Sequence, residues 1–528
     1  MKVLITDPID EICPRLLKEA GLEVDDRSDE SPDAWGSELD LYDGWIIRSG
    51  TRITSDLLER ASALKVIGRA GVGVDNVDLA AATRRGILVL NAPDGNTIST
   101  AEHTCAMILA LARRIPDAHV SLQAGKWERK AFKGSELYRK TLGVVGLGKI
   151  GREVAVRMKS FGMIVVAVDP VVSSSAAERL GIELETFEGL LERSDYITFH
   201  VPLVDDTKNM LDGPALKRCK DGVRIINCAR GGLLEEEALL EALNAGKVAG
   251  VALDVYRAEP PSTENRAWLD HPAVLTTPHI AASTSEGQAR VARQVTEQVV
   301  GALHGEPVEN AVNSMAIRLA AQPQVRPYME LADNLGSLVG QLTEGQPTLL
   351  KIRCYGDWLR QYSEILSVGA TRGFVERWRT EPVNLINAKV IAEEAALLIE
   401  EQLRPADQNF KNLLEVVAIS DGGRVSAAGV VFGNKQPRII RVNDFDFEIQ
   451  PAGYILFYYN DDKPGMLAAV GAILAKAAIN IGALALGRRE KGSTAMTAIS
   501  LDEPASSMII DQIAALEGVH GIRGVHFK

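Results

Sequence analysis

Several features that would mark a particular class of protein are missing or scarce in this sequence of 528 residues. It has no run of about 18 uncharged apolar residues, which argues against a membrane-spanning helix. The formal net charge is −12, so a basic surface for nucleic acid is not expected. The five cysteines are scattered without CxxC spacing, which indicates free thiols in a reducing cytoplasm and no metal site. We therefore expect a cytoplasmic protein whose ligands are small molecules.

A glycine-rich stretch is the most informative feature that is present. Residues 146–151 read GLGKIG and follow an apolar run at 142–145. A helical pattern at 152–161 and a second apolar run at 164–168 come next, and the run ends at Asp169. The order strand, glycine turn, helix, strand, acid is typical of a dinucleotide-binding site.

Each residue of this pattern has a physical role. Gly146 permits a tight turn, Gly148 lets a pyrophosphate approach the backbone, and Gly151 lets the helix pack on the strand. The helix N-terminus offers free N–H groups to the phosphates. Asp169 would hydrogen-bond a ribose diol and repel a 2′-phosphate, and residues 170–173 contain no arginine to neutralise one. The predicted cofactor is NAD.

Strands and helices alternate through two successive units of the chain. The first unit has four short apolar runs, at 3–5, 44–48, 66–69 and 88–91. The second has four more beyond the glycine stretch, at 196–200, 224–227, 250–254 and 274–276. This alternation predicts an α/β protein with two doubly wound parallel sheets.

The pattern changes beyond residue 315. The middle of the chain predicts a small α/β unit with a strand at 349–356, a long helix at 384–403 and a strand at 425–432. From residue 453 onward the order is βαββαβ, that of a ferredoxin-like sandwich. We find no catalytic cluster in the middle unit.

Three reactive side chains follow the last three apolar runs of the second unit: Arg230, Glu259 and His279. Ligands bind beyond the carboxyl ends of the strands in open parallel sheets, so these residues and the glycine stretch should meet at one edge. A histidine can take the hydroxyl proton of a secondary alcohol while hydride leaves the same carbon. A carboxylate can orient that histidine, and a guanidinium can grip a substrate carboxylate. The residues thus predict a hydride-transfer site.

The motifs resemble those of the D-isomer-specific 2-hydroxyacid dehydrogenases, and the length resembles that of the long members that act on D-3-phosphoglycerate. The resemblance is carried by RS at 48–49, GRAGVGVDN at 68–76, NAP at 91–93, the glycine stretch, NCARGG at 227–232, DV at 254–255, EP at 259–260 and His279. Two positions depart from the usual pattern. Ile280-Ala281-Ala282 stands where Leu-Gly-Ala is usual, and Val201 where Thr is common.

The resemblance implies that Arg230, Glu259 and His279 are the catalytic residues. It also implies cofactor contacts outside the three glycines, at Val72, Lys149, Ile150, Asp169, Val201, Cys228, Ala229, Arg230, Asp254, His279, Ile280, Ala281 and Ala282. Arg48 with Ser49, Arg69 and Asn96 are predicted to bind the substrate and its phosphate in the first unit.

The resemblance also implies how the chain divides into domains. Residues 1–98 and 288–315 would form the substrate-binding domain, and residues 99–287 an inserted Rossmann NAD-binding domain. Residues 316–452 would be an intervening regulatory domain. Residues 453–528 resemble an ACT domain, a module that binds amino acids at paired interfaces.

The ACT resemblance predicts an effector site for L-serine. Asn460 and Asp462 lie in the turn after the first strand of that unit, and Asn480 follows its first helix. We expect the turn and Asn480 to face each other near the sheet edge. Because the interfaces of such modules are paired, we expect a homo-oligomer, a dimer or a tetramer. The other possibility is a simple oligomerisation module with a polar turn.

The leading functional hypothesis is NAD-dependent oxidation of D-3-phosphoglycerate to 3-phosphohydroxypyruvate, the first step of L-serine biosynthesis, with feedback through the ACT domain. One alternative is a dehydrogenase for another D-2-hydroxyacid, for which the amino-acid-binding tail has little use. A second alternative, of a different class, is a non-catalytic NAD-sensing protein, which could keep the same three residues.

Overall fold

The computed structural model describes residues 1–261, 269–306, 308–320, 322–378, 382–433 and 435–527. Four sheets follow one another along the chain. The predicted mixed α/β class, with two parallel sheets followed by two smaller α/β units, is confirmed. None of the described helices combines the length and the apolar character needed to cross a bilayer.

The first unit is a five-stranded parallel sheet in the order β2-β1-β3-β4-β5. Its elements are β1 (Lys2–Ile5), α1 (Ile12–Glu19), β2 (Glu23–Asp26), α2 (Pro32–Trp35), β3 (Gly44–Ile47), α3 (Ser55–Arg60), β4 (Val66–Arg69), α4 (Leu79–Arg84) and β5 (Leu88–Asn91). The strand β2 and the helix α2 were not predicted. The central strands β3 and β4 are buried along almost their whole length, as expected for apolar runs in a parallel sheet.

Two helices, α5 (Thr97–Arg113) and α6 (Ile115–Gln123), lead to a seven-stranded parallel sheet. Its elements are β6 (Thr141–Val145), α7 (Lys149–Ser160), β7 (Ile164–Val168), α8 (Ser174–Arg179), β8 (Glu183–Leu184), α9 (Phe187–Arg193), β9 (Tyr196–Phe199), α10 (Gly213–Arg218), β10 (Val223–Asn227), α11 (Glu236–Asn244), β11 (Val248–Leu253) and β12 (Val274–Thr276). The strand order is β12-β11-β10-β9-β6-β7-β8. The order reverses between β6 and β9, which is where ligands bind in such sheets.

The helix α12 (Ser285–Leu303) follows this second sheet but packs on the first one. Its buried valines 291, 295 and 299 recur every four residues and so form one stripe. A Cβ on Gly68 of β4 would lie 2.6 Å from Val299 Cγ2, so only glycine allows the helix to come this close. Two segments therefore connect the parallel-sheet units, one entering α5 and one entering α12.

The middle unit has a six-stranded sheet in the order β14-β13-β15-β16-β17-β18, with two long helices packed on it. Its elements are α13 (Met315–Ala320), α14 (Arg326–Leu342), β13 (Pro347–Tyr355), α15 (Asp357–Arg360), α16 (Ser363–Val375), α17 (Ala388–Glu394), β14 (Leu398–Arg404), β15 (Leu413–Ser420), β16 (Gly423–Phe432), β17 (Gln436–Val442) and β18 (Phe445–Ile449). A Cβ on Gly336 would lie 1.9 Å from the carbonyl oxygen of Ala370, so α14 and α16 are in backbone contact.

The predicted long helix at 384–403 is wrong. The helix α17 ends at Glu394, and Ala396 has a left-handed backbone with a φ of 55°. The residues that follow form β14, which pairs in parallel with β13 over seven residues. The helical propensity of the alanine-rich segment is overridden by this long-range pairing.

The last unit has a four-stranded antiparallel sheet in the order β20-β21-β19-β22. Its elements are β19 (Gly453–Asp461), α18 (Met466–Lys476), β20 (Ile481–Arg488), β21 (Thr494–Leu501), α19 (Ser507–Ala514) and β22 (Val519–Phe527). The predicted ferredoxin-like order is confirmed. One sheet face is covered by α18 and α19, while Phe457, Met496 and Val525 on the other face join the core of the middle unit.

Candidate active site

The glycine turn lies between β6 and α7, and each glycine is required for a different reason. Gly146 has a φ of 92°, which L side chains rarely adopt. A Cβ on Gly151 would lie 2.0 Å from the carbonyl oxygen of Gly146, so the helix can pack here only without a side chain. A Cβ on Gly148 would meet no atom within 4 Å, so its backbone faces open space at the N-terminus of α7. This cradle fits the pyrophosphate of a dinucleotide.

Asp169 ends β7 beside this turn. One oxygen of its carboxylate accepts hydrogen bonds from the N–H groups of Val171 and Val172, and the other accepts one from Leu147 at 2.8 Å. Burial acts to raise the pKa of Asp169, but these N–H groups outweigh it and hold the pKa below its ordinary value. A carboxylate has about four acceptor positions, so one remains for a ribose hydroxyl.

His279 and Glu259 are in direct side-chain contact at the edge of the second sheet. His279 Nδ1 lies 2.6 Å from one carboxylate oxygen of Glu259. The other oxygen accepts a hydrogen bond from the N–H of Tyr256 at 3.1 Å. The carboxylate is thus fixed at both ends, and His279 presents Nε2 as the atom for proton exchange.

The backbone around His279 is held in an uncommon shape. His279 has a φ of 52°, in the left-handed region that costs energy for a residue with a side chain. Asp254, which is fully buried, accepts hydrogen bonds from the N–H groups of Ile280 and Ala281, both at 2.8 Å. Its carboxylate therefore faces the loop that carries His279, so its first role in this structure is to position that loop.

Two further residues, which the sequence analysis did not identify, contact the Asp254 carboxylate. The hydroxyl of Thr277 donates a hydrogen bond to it at 2.6 Å, and the Nε2 of His103 in α5 lies 3.5 Å from the same oxygen. Burial raises the pKa of Asp254, but the hydrogen bonds from His103, Thr277 and the two N–H groups lower it below its ordinary value. The carboxylate is thus kept ionised although it is buried.

Arg230 follows β10 and extends towards the first unit. Asn227, fully buried at the end of β10, donates to the carbonyl of Arg230 at 2.8 Å and accepts from the N–H of Ala229 at 3.0 Å. The Nε of Arg230 lies 3.4 Å from the carboxylate of Asp75. Both Asn227 and Asp75 lie inside the motifs quoted above, but the sequence does not reveal which groups they contact.

The residues predicted to bind the substrate lie on the first unit, and Arg69 among them is close enough to Arg230 for their charges to interact. Arg69 ends β4, and within the described residues its Nε is buried without a hydrogen-bond partner. Burial, followed by the positive charge of Arg230, lowers the pKa of Arg69 to about 10. Arg48 donates to the carbonyl of Pro8 at 3.0 Å, and the buried Oδ1 of Asn96 likewise has no partner among the described residues. Ser49 follows Arg48 on an exposed turn.

The remaining predicted cofactor residues lie at or next to the ends of strands and helices in the two parallel-sheet units. The side chain of Lys149 pairs with Asp94 of the first unit, so the two units are bridged beside the glycine turn. The thiol of Cys228 is buried, and burial raises its pKa to about 12. The carbonyl of Val72 accepts a hydrogen bond from Asn91 at 2.6 Å. Four others are placed by the ends of the neighbouring elements, namely Ile150 in α7, Val201 after β9, Ala229 after β10 and Ala282 before α12.

The expectation that the polar turn and Asn480 face each other is wrong within one chain. Asn460 pairs in register with Ala495 at the start of β21, whereas Ile481, the residue after Asn480, pairs with Leu501 at its end. The two therefore lie at opposite ends of the sheet. Because β19 and β20 run parallel with β21 between them, this separation follows from the topology.

The three predicted effector residues also differ in exposure. Asn460 is buried, accepts a hydrogen bond from Thr497 at 2.8 Å, and so supports the interior of the unit. Asp462 accepts from Arg488 and from the N–H of Gly492, both at 2.9 Å. Asn480 is exposed and donates to Asp502 at 2.7 Å.

Comparison with known proteins agrees with the fold and with an NAD-binding domain. The profile of the D-isomer specific 2-hydroxyacid dehydrogenase NAD-binding domain matches residues 105–281. That of the D-3-phosphoglycerate dehydrogenase intervening domain matches 324–443, and that of an AHAS small subunit-like ACT domain matches 458–521. The sequence is 40% identical to D-3-phosphoglycerate dehydrogenase of Archaeoglobus fulgidus over 98% of both chains. The chain belongs to the D-3-phosphoglycerate dehydrogenase family.

Two further relatives are consistent with this membership. D-3-phosphoglycerate dehydrogenase of Bacillus subtilis is 39% identical over 92% of both chains. The solved structure of D-lactate dehydrogenase from Aquifex aeolicus, complexed with NAD and lactic acid, is 29% identical with a TM-score of 0.52. That match covers 58% of this chain and 96% of the other.

Proposed function

We propose that this protein oxidises D-3-phosphoglycerate to 3-phosphohydroxypyruvate with NAD, the first step of L-serine biosynthesis. The observation that carries the proposal is the contact between His279 and Glu259 at the same sheet edge as the glycine cradle. The family membership and the NAD-binding domain support it.

The proton is handled by His279. The glycine turn and Asp169 would hold NAD, which would supply the acceptor for the hydride from C2 of the substrate. The Nε2 of His279 takes the proton of the C2 hydroxyl, and the Glu259 carboxylate at Nδ1 stabilises the resulting imidazolium. In the reverse direction the same nitrogen returns the proton. The buried Asp254 keeps the loop in place while the charge on His279 changes.

The two anionic groups of the substrate are bound by arginines. Arg230 can hold the C1 carboxylate with two parallel N–H bonds and polarise the developing carbonyl. Arg69 and Arg48, at the ends of neighbouring strands of the first unit, are proposed to bind the phosphate. The partnerless Nε of Arg69 supports this role, because a buried donor without an acceptor costs free energy that an anion would recover. Asn96 and Ser49 add polar contacts at the rim.

A substrate panel tests the proposal. With NAD present, kcat/KM for D-3-phosphoglycerate should exceed that for D-lactate by about 10- to 150-fold, because only the first substrate offers a phosphate to Arg69 and a hydrogen bond to a charged group contributes about 1.5–3 kcal/mol. Equal or reversed preference would favour another D-2-hydroxyacid as substrate. Binding of NAD without turnover on any hydroxyacid would favour the NAD-sensing alternative.

We also propose that the protein is a homo-oligomer. Five large apolar side chains between α5 and β6 are exposed, namely Ile115, Val120, Leu122, Trp127 and Tyr138. A second group is exposed on the terminal unit, namely Leu467, Ile481, Leu484 and Leu486. Exposed apolar groups of this size are typical of subunit contacts.

We propose a cytoplasmic location as well, because the five cysteines are free and buried, as in a reducing compartment.

The edge strand β20 explains how an effector site could use residues from opposite ends of the sheet. Asn480 precedes β20, and Asp462 holds Arg488 at the other end of that strand. If two copies pair antiparallel along β20, Asn480 of one copy comes beside Asp462 of the other. Such a site offers a carboxylate and an amide to the ammonium, carboxylate and hydroxyl groups of L-serine.

Serine binding is tested with a point variant. Deleting residues 453–528 is unsuitable, because one face of the terminal sheet belongs to the core of the middle unit. Asn480→Ala should weaken L-serine binding, measured by calorimetry, without changing the KM for D-3-phosphoglycerate. Asn409→Ala, at an exposed asparagine of the middle unit, is the control. Serine that competes with D-3-phosphoglycerate and binds Asn480→Ala normally would place the effector site elsewhere.

A further inference from the structure

The contact between Arg230 and Asp75 joins the two parallel-sheet units. Arg230 follows β10 of the second unit, while Asp75 lies between β4 and α4 of the first. The Nε of Arg230 lies 3.4 Å from Oδ2 of Asp75. A Cβ on Gly73 would lie 2.2 Å from Nη2 of Arg230 and 2.8 Å from Oδ2 of Asp75. The chain between β4 and α4 thus lies directly against the guanidinium, and glycine makes that approach possible.

The chemistry of this contact matches the interaction that Arg230 would make with a substrate. The Asp75 carboxylate contacts the Arg230 guanidinium, the same group that would bind the carboxylate of a substrate. The side chains are 34% exposed for Arg230 and 79% exposed for Asp75. An ion pair this exposed is weak and exchanges readily with other ions, unlike a buried pair.

Asp75 also affects the charge of the surrounding arginines, beyond its contact with Arg230. Arg69 experiences the positive charges of Arg230 and Arg48, both of which act to lower its pKa, whereas Asp75 acts in the opposite direction. Asp75 is therefore an anion within a group of three arginines that are proposed to bind an anionic substrate. Its charge cancels part of the field that attracts that substrate.

We propose that Asp75 is a built-in competitor for the carboxylate anchor Arg230 and thereby sets the enzyme's affinity for carboxylate substrates. A substrate carboxylate that reaches Arg230 displaces the Asp75 carboxylate, and the product leaves as Asp75 returns. The exchange of the Asp75 carboxylate for the substrate carboxylate sets the substrate affinity, and Asp75 itself does not contact the reacting carbon. The inference deepens the proposed function and rests on it, since it assumes that Arg230 binds the substrate carboxylate.

The test uses the full-length protein with saturating NAD and two ligands, D-3-phosphoglycerate and oxalate, an anion with carboxylates but no phosphate. In Asp75→Asn, the KM for D-3-phosphoglycerate and the inhibition constant of oxalate should both fall about two- to fivefold, the strength of an exposed ion pair. The gain should shrink at high salt, because the removed interaction is a screened charge effect. Asp75→Glu, which keeps the charge, should return both constants towards those of the unchanged protein.

A matched control separates this effect from a general change of charge. Asp56→Asn removes a negative charge from an exposed position of the same unit and should leave both constants unchanged. If Asp75→Asn raises the KM or leaves it unchanged, the competitor role is wrong and Asp75 only shapes its loop. Arg230→Ala distinguishes a failure of the Asp75 proposal from a failure of the proposed carboxylate anchor. If oxalate no longer inhibits Arg230→Ala, Arg230 binds carboxylates even when Asp75→Asn has no effect. If oxalate inhibits Arg230→Ala as strongly as the unchanged protein, Arg230 is not the carboxylate anchor.

Discussion

Two alanine substitutions in the glycine turn give the sharpest test of where the cofactor is bound. At Gly148 the backbone has a φ of −70°, which alanine adopts, and the new methyl group would contact nothing within 4 Å. At Gly151 the same methyl group would lie 2.0 Å from the carbonyl oxygen of Gly146. The first change therefore affects only a ligand that approaches the turn, and the second affects the fold.

The magnitudes follow from these contacts. A methyl group at residue 148 would hold the pyrophosphate away from the N-terminus of α7. Losing one hydrogen bond to a charged group costs about 1.5–3 kcal/mol, so the KM for NAD should rise about 10- to 150-fold in Gly148→Ala. Its Tm should change little. Gly151→Ala should lose about 1–3 kcal/mol through overpacking, which lowers the Tm by about 2–10 °C.

The assay combines NAD titrations of initial rate with thermal unfolding of both variants. The contrast is informative because the two positions lie three residues apart and receive the same methyl group. A KM for NAD within twofold of the unchanged protein in Gly148→Ala would refute the placement of the pyrophosphate. A Tm for Gly151→Ala equal to that of Gly148→Ala would refute the packing argument.

Two further predictions concern single side chains. Glu259→Gln removes the charge that stabilises the imidazolium of His279, so single-turnover NADH formation should slow about 10- to 150-fold; an equal effect of Glu237→Gln, at an exposed glutamate of α11, would count against it. Burial lowers the pKa of His200 to about 4 from 6.5. The unfolded chain takes up this proton first as the pH falls, so stability is full above pH 6.5 and should drop by about 1–2 kcal/mol by pH 5. Urea midpoints from pH 7 to 5 measure this drop, which His200→Gln should reduce; a midpoint that stays constant in the unchanged protein would contradict it.

The main features of the site could be predicted because parallel sheets place their ligands at the carboxyl ends of strands. Arg230, Glu259 and His279 each follow a strand of the second sheet, and the glycine turn follows β6 at the same edge. The strands β4, β5, β7 and β12 lie where the apolar runs predicted them. A local pattern suffices for β4, β5 and β7 because each is mostly a buried apolar run.

The failures have a common physical cause, since they depend on contacts between residues that are distant in sequence. The segment at 398–404 is a strand because β13 pairs with it, and the local alanine-rich sequence does not contain that information. Asn460 and Asn480 lie near each other in sequence, yet the crossover through α18 places them at opposite ends of the sheet. The contacts of His103 and Asp75 with the catalytic region likewise arise only when separate elements meet.

The central claim is that His279 exchanges the proton while D-3-phosphoglycerate is oxidised by NAD. Single-turnover formation of NADH, with the protein in excess over substrate, tests this most directly because slow product release does not mask the chemical step. His279→Ala should lower this rate about 10²- to 10⁴-fold while leaving the affinity for NAD nearly unchanged. A single-turnover rate within a few fold of that of the unchanged protein would contradict the account.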